Sequence, residues 1–177
     1  MAKRAQDLVY NFLDTNGDGT GTTNANGNYA ISPNVNTQFY YEATEFVEIH
    51  RLMVHIQDTA GIDAEEYGNL GAALTNGYSI KILDSSDNEI IDLCHSNPIK
   101  SNGGIARYCH DVELKSWGTT PSNEVINARW TFSKAGSPIV LQPGWKFSTI
   151  FSDNLTGLLQ HYFMIQGTME RSLYKYD

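Results

Sequence analysis

From Thr37 to Glu170 short apolar stretches recur at close spacing, broken by Gly, Pro, Asn and Asp, with hardly any helical periodicity. That pattern confines the chain to an all-β fold. Gln38–Tyr41 and Phe46–Gln57 are rich in aromatic and branched residues. In the second, Leu52, Val54 and Ile56 alternate with Met53, His55 and Gln57, which places the first set on a core face. Tyr78–Leu83 and Glu89–Leu93 flank Asp84-Ser-Ser-Asp-Asn88, whose turn chemistry predicts a hairpin. Further strands are expected at Ala106–Leu114, Ile126–Ser133, Pro138–Leu141, Trp145–Ser152 and Gln160–Glu170. About eight short strands of this kind make an antiparallel β-sandwich, jelly-roll-like in form. The one helix expected is a turn or two at Ile62–Tyr67, ended by Gly68 and Gly71. It falls in a long connection, 58–77, of the kind that is functional or caps an end of a sandwich.

The N-terminal region is different. No Lys or Arg follows Arg4 until Arg51, and Asp14 to Asn28 is almost wholly Asp, Asn, Gly and Thr. Such a stretch has too little apolar surface for a core of its own. Apolar clusters flank it: Leu8, Val9, Tyr10, Phe12 and Leu13 before, Tyr29 and Ile31 after. Two readings stand side by side. Residues 1–36 form an extended arm that docks on another surface, leaving 37–177 as the sandwich domain; or the region is an ordinary first strand with a long loop. On the arm reading, Tyr10, Phe12, Leu13, Tyr29 and Ile31 are candidate interface residues. Trp117 and Trp145, each beside a turn, join them, since aromatic residues near turns serve both protein interfaces and sugar-binding sandwiches. Trp130 and Phe132 share one face of a strand and read as core.

Chemical signatures are sparse. Lys and Arg number 12 against 20 Asp and Glu, a net charge of −8, which suits neither phosphate neutralisation nor a nucleic-acid partner. No apolar run is long enough to span a bilayer, and no secretory signal follows the basic start, so no membrane partner is expected. Asp14, Asn16 and Asp18 before Gly19 have the alternation of a calcium loop, but the twelfth position is Ala25 where a bidentate Glu belongs. No metal and no cofactor is therefore expected. Cys94 and Cys109 read as core thiols. His50 and His55, five apart, fall on opposite faces of an unbroken strand and cannot chelate one ion; His95, His110 and His161 read as structural or surface histidines. No nucleophile elbow, phosphate loop or zinc spacing occurs, and nothing places two of Glu42, Glu45, Glu48, Glu65 and Glu66 across one cleft. Asn154-Leu-Thr156 reads as turn chemistry. No catalytic residue is identified, and the chain is not expected to be an enzyme.

Several segments are familiar as a set. They are Arg51-Leu-Met-Val-His55 leading to Asp58, Glu66-Tyr-Gly-Asn69, Leu74-Thr-Asn-Gly77, Ala128-Arg-Trp-Thr-Phe-Ser-Lys-Ala-Gly136, and Asp153-Asn-Leu-Thr-Gly157 followed by His161-Tyr-Phe-Met-Ile-Gln-Gly167. With the Gly/Asn/Thr-rich N-terminus, this set resembles the small virion structural proteins of tailed bacteriophages, of the capsid decoration (cement) kind. The resemblance implies a protein made in the host cytoplasm and carried on the capsid surface. Its partners would be the major capsid protein and copies of itself, with a trimer as the expected homo-oligomer. The alternatives are a tail, neck or fibre-base protein of the same particle, or a carbohydrate-binding β-sandwich module.

Overall fold

A computed structural model describes residues 3–12, 36–58, 62–108, 111–116, 124–132, 138–158 and 161–172. Among these are ten strands: β1 (Lys3–Phe12), β2 (Thr37–Glu42), β3 (Val47–Asp58), β4 (Tyr78–Leu83), β5 (Glu89–Asp92), β6 (Asp111–Ser116), β7 (Glu124–Thr131), β8 (Ile139–Leu141), β9 (Lys146–Phe151) and β10 (His161–Ser172). A helix, α1 (Asn102–Tyr108), and a 3₁₀ turn at Gly68–Leu70 complete the described elements. The larger sheet runs β1-β10-β3-β7-β6, with β8 also on β3; the smaller runs β2-β9-β4-β5. Every pairing is antiparallel. The protein is an all-β antiparallel sandwich, as the spacing of its strands predicts.

The pairings nest. β4 pairs with β5, β3 with β7 and β8, β2 with β9, and β1 with β10, so the chain resembles one long hairpin whose tip is the turn at 84–88. β7 and β8 lie end to end along β3, at Arg51–Asp58 and Val47–Ile49 respectively. Period-two alternation builds the core. Leu52, Val54 and Ile56 are fully buried, as are Phe39, Ile80, Phe147, Phe163 and Ile165, and Trp130 and Phe132 are buried with them.

One irregularity sets the phase. The buried residues of β3 change from odd (Val47, Ile49) to even (Leu52, Val54, Ile56). The register skips at the same place: Gln166 faces Arg51 and Gly167 faces Ile49, so His50 is the extra residue of a β-bulge. A Cβ on Gly167 would overlap the Glu48 carbonyl oxygen, so the bulge requires glycine opposite it. The bulge also corrects the expectation for His50 and His55, which assumed an unbroken strand. Both fall outside the buried set and make separate contacts: His50 lies 3.7 Å from the Glu48 carboxylate, while His55 stacks on Tyr162.

Two further expectations are corrected. Ala106–Leu114 is not one strand; its first residues end α1 and its last belong to β6. Gly103 and Gly104 hide the helix because glycine is a poor helix former, yet Gly103 is required by packing, as a Cβ there would come within 2.9 Å of the Ala64 carbonyl oxygen. The legible signal was Ser101, whose Oγ accepts the Gly104 N–H (3.2 Å) as an N-cap. Ile62–Tyr67, in turn, forms no helix; Asp63 accepts the Glu65 N–H (2.8 Å) in a local turn, and the 3₁₀ turn follows at Gly68.

Residues 3–12 form an edge strand of the larger sheet, paired with β10 over their whole length. The physical reason is that β10 would otherwise carry an open edge of unpaired backbone groups.

Candidate functional site

The long connection closes one end of the sandwich, and its polar groups are spent on closing it. The Asp153 carboxylate, buried after β9, accepts the N–H groups of Thr75 (2.7 Å), Asn76 (3.0 Å) and Gly77 (2.8 Å), and Asn76 Nδ2 donates to the Ser152 carbonyl (3.0 Å). Asn102, at the start of α1, donates to Asp58 Oδ2 (3.1 Å) and to the Asp63 carbonyl (2.8 Å) while accepting the Gly68 N–H (2.9 Å). These two side chains pin the connection to the strands beneath it. The Asn154 side chain accepts from the N–H and hydroxyl of Thr156, the turn role expected of it.

Below lies an aromatic cluster. Tyr78 stacks on Phe151 at 4.5 Å, and His161 meets Tyr67, Phe151 and Phe163 edge-on. Tyr67 Oη and His161 Nε2 share a 2.7 Å hydrogen bond, while His161 Nδ1 has no partner. Burial, with the neighbouring tyrosine Tyr78 adding to it, holds the Tyr67 phenol well above its usual range. Burial and then the nearby His55 push His161 down to about 3. Both are therefore neutral at physiological pH. Both also have zero exposure and belong to the packed core.

Outside α1 a groove of about 500 Å³ is lined by Glu65, Asn97, Lys100, Ser101 and Arg107 among others. Lys100 Nζ donates to the Thr75 carbonyl at 2.7 Å, and Ser101 Oγ accepts the Gly104 N–H. Among the described residues no group of three or more His, Cys, Asp or Glu is placed to hold a metal ion, and no helix is long and apolar enough to cross a membrane. Cys94 is a buried free thiol, pushed up to about 11 by burial.

The candidate interface residues are scattered. Tyr10 and Phe12 lie in β1, opposite Ile165 and Phe163 in register. Trp145 is half-buried against the core beside the Pro143–Gly144 turn, where its carbonyl accepts the Ala43 N–H. Leu13, Tyr29, Ile31 and Trp117 lie outside the described residues, as do Asp14, Asn16 and Asp18, Cys109 and His110.

Two pairs of exposed apolar residues escaped the sequence reading. Phe46 and Val140 are exposed on the outer face of the larger sheet, where Val47 and Leu141 between them turn inward. Ile90 and Ile91 are exposed on β5, the edge strand of the smaller sheet. The second pair had a signal: adjacent apolar residues on a strand point to opposite faces, so one of the two had to face out. No protein-family model, curated protein or solved structure matches the chain.

Proposed function

We propose that the protein is a non-catalytic structural component of a tailed-phage virion, a capsid decoration protein that joins its neighbours by shape and apolar contact. The observation that carries this reading is the placement of exposed apolar residues on an otherwise sealed body. Phe46 with Val140, and Ile90 with Ile91, lie away from the capped end, while Asp153 and Asn102 are consumed internally. Exposed apolar residues along a sheet edge offer surface that a neighbouring subunit can cover. The antiparallel sandwich is compatible with the reading too, since two-sheet β architectures include the jelly rolls that capsid and lectin domains use. A net charge of −8 favours solubility before assembly and discourages contact with packaged DNA. Partners on this reading are the major capsid protein and further copies of the chain, with multivalent contact raising avidity.

Quantitative mass spectrometry of purified particles tests it. Copies on the order of hundreds, as repeated symmetric contacts on a shell demand, are the expected result. About a dozen or fewer would move the protein to the neck or tail, and absence from the particle would overturn the reading.

A further inference from the structure

We propose that the groove outside α1 binds a hydroxylated organic acid, a sugar acid of the uronate kind. The groove holds about 500 Å³, a volume in the range of small-molecule sites and far beyond what one inorganic ion fills. Its cationic groups are Lys100 and Arg107, with Glu65 in the same lining, and Asn97 and Ser101 add an amide and a hydroxyl. Lys100 is seated rather than loose. Its Nζ donates to the Thr75 carbonyl at 2.7 Å, which leaves two N–H donors for a ligand. Its stem runs past Gly77, where a Cβ would come within 2.8 Å of Lys100 Cγ. Arg107 and the Glu65 carboxylate have no hydrogen bond or ion pair among the described residues.

The chemistry of that lining selects the ligand. An ammonium and a guanidinium in one groove suit a carboxylate, which the planar guanidinium binds through paired N–H groups. Glu65 sets the limit. The three side chains sum to one positive charge, which matches a monoanion, while the Glu65 carboxylate repels a phosphate dianion. Glu65 also needs donors from the ligand, and Asn97 and Ser101 both donate and accept, so the remainder of the ligand carries hydroxyls. Among the described residues no aromatic side chain lines the groove, so it offers no platform for a flat apolar ring. The backbone donors at the start of α1 are spent elsewhere. The Asn102 and Gly103 N–H groups donate to the Glu66 and Ala64 carbonyls, and that of Gly104 to Ser101 Oγ. Recognition therefore falls to the side chains, and the Ser101 hydroxyl keeps its own proton for the ligand.

The test follows the backbone amides of the full chain by NMR during titration with sodium D-glucuronate. Parallel titrations use D-glucose, acetate and inorganic phosphate at matched ionic strength. The expected result is saturable shifts centred on residues 64–65 and 97–107, with a Kd in about the millimolar range. Glucose lacks the carboxylate and acetate lacks the hydroxyls, so each should bind about tenfold or more weakly. Arg107 is exposed, so Arg107→Gln should keep the fold, seen as unchanged shifts elsewhere, and weaken glucuronate about tenfold. Glu65→Gln should strengthen phosphate binding, because the carboxylate that repels the dianion is gone. The absence of saturable shifts with glucuronate would overturn the proposal, as would equal binding of glucose or acetate. So would glucuronate binding unchanged in Arg107→Gln, or phosphate bound by the native chain as tightly as glucuronate. Binding is read on the isolated chain, so its outcome is independent of the virion reading above.

Discussion

His161 shows how a single residue ties burial to pH. Its folded-state value near 3 lies below the ordinary histidine value of 6.5, so the unfolded chain binds the proton more readily. Stability from this group is complete above pH 6.5 and declines as pH falls from there toward 3. At pH 5 the loss is about 2 kcal/mol, using 1.36 kcal/mol per unit. Denaturant melts at pH 7 and pH 5 should show that loss in the native chain and most of it abolished in His161→Phe. The Asp153 carboxylate accepts from three successive N–H groups. Asp153→Asn sets an amide against those donors and should lower stability by roughly 2–4 kcal/mol in urea unfolding. Gly167→Ala forces a methyl into the Glu48 carbonyl and should cost about 3 kcal/mol or more by the same measurement, because backbone on both sides must move.

At the scale of elements, the features that close the end of the sandwich come from residues far apart in sequence. α1 holds only Asn102–Tyr108, too short to be stable alone, and survives because Ser101 caps it and Ile105 is buried. Ser101→Ala should therefore destabilise the protein by about 1 kcal/mol, read from the urea midpoint at unchanged slope. The β4–β5 hairpin relies on local chemistry. The Asp84 side chain accepts from the Ser86 and Asn88 backbone, and those bonds, led by that with the Asn88 side chain, hold its carboxyl below the usual range. Lys146 reaches across from β9 to Asp87 at 2.7 Å and lies over the Tyr40 ring, fixing the hairpin tip to the neighbouring strands.

At the scale of the whole molecule, both sheets contribute to one continuous buried cluster, from Phe39 and Phe147 on one side to Leu52 and Phe163 on the other. Among the described residues, neither sheet has a second core to retreat to. Unfolding should thus be a single transition, with far-UV circular dichroism and tryptophan fluorescence giving superimposable curves. Two separated midpoints would show that the sheets melt independently.

Alternating strands such as Leu52–Val54–Ile56, the Asp84–Asn88 turn and the Trp130–Phe132 face were legible in the sequence because each depends on residues one to five positions apart. Local sterics and turn chemistry suffice to specify them, and with them the all-β class. The His50 bulge was not legible, since it exists only where Gly167 lets Glu48 approach from another strand. Nor were the partners of Asp153 and Asn102, or the burial of His161, because each requires segments tens of residues apart to meet. The course of residues 3–12 was open for the same reason: their apolar cluster fitted an arm or a first strand, and the pairing with β10 depends on a segment some 150 residues away.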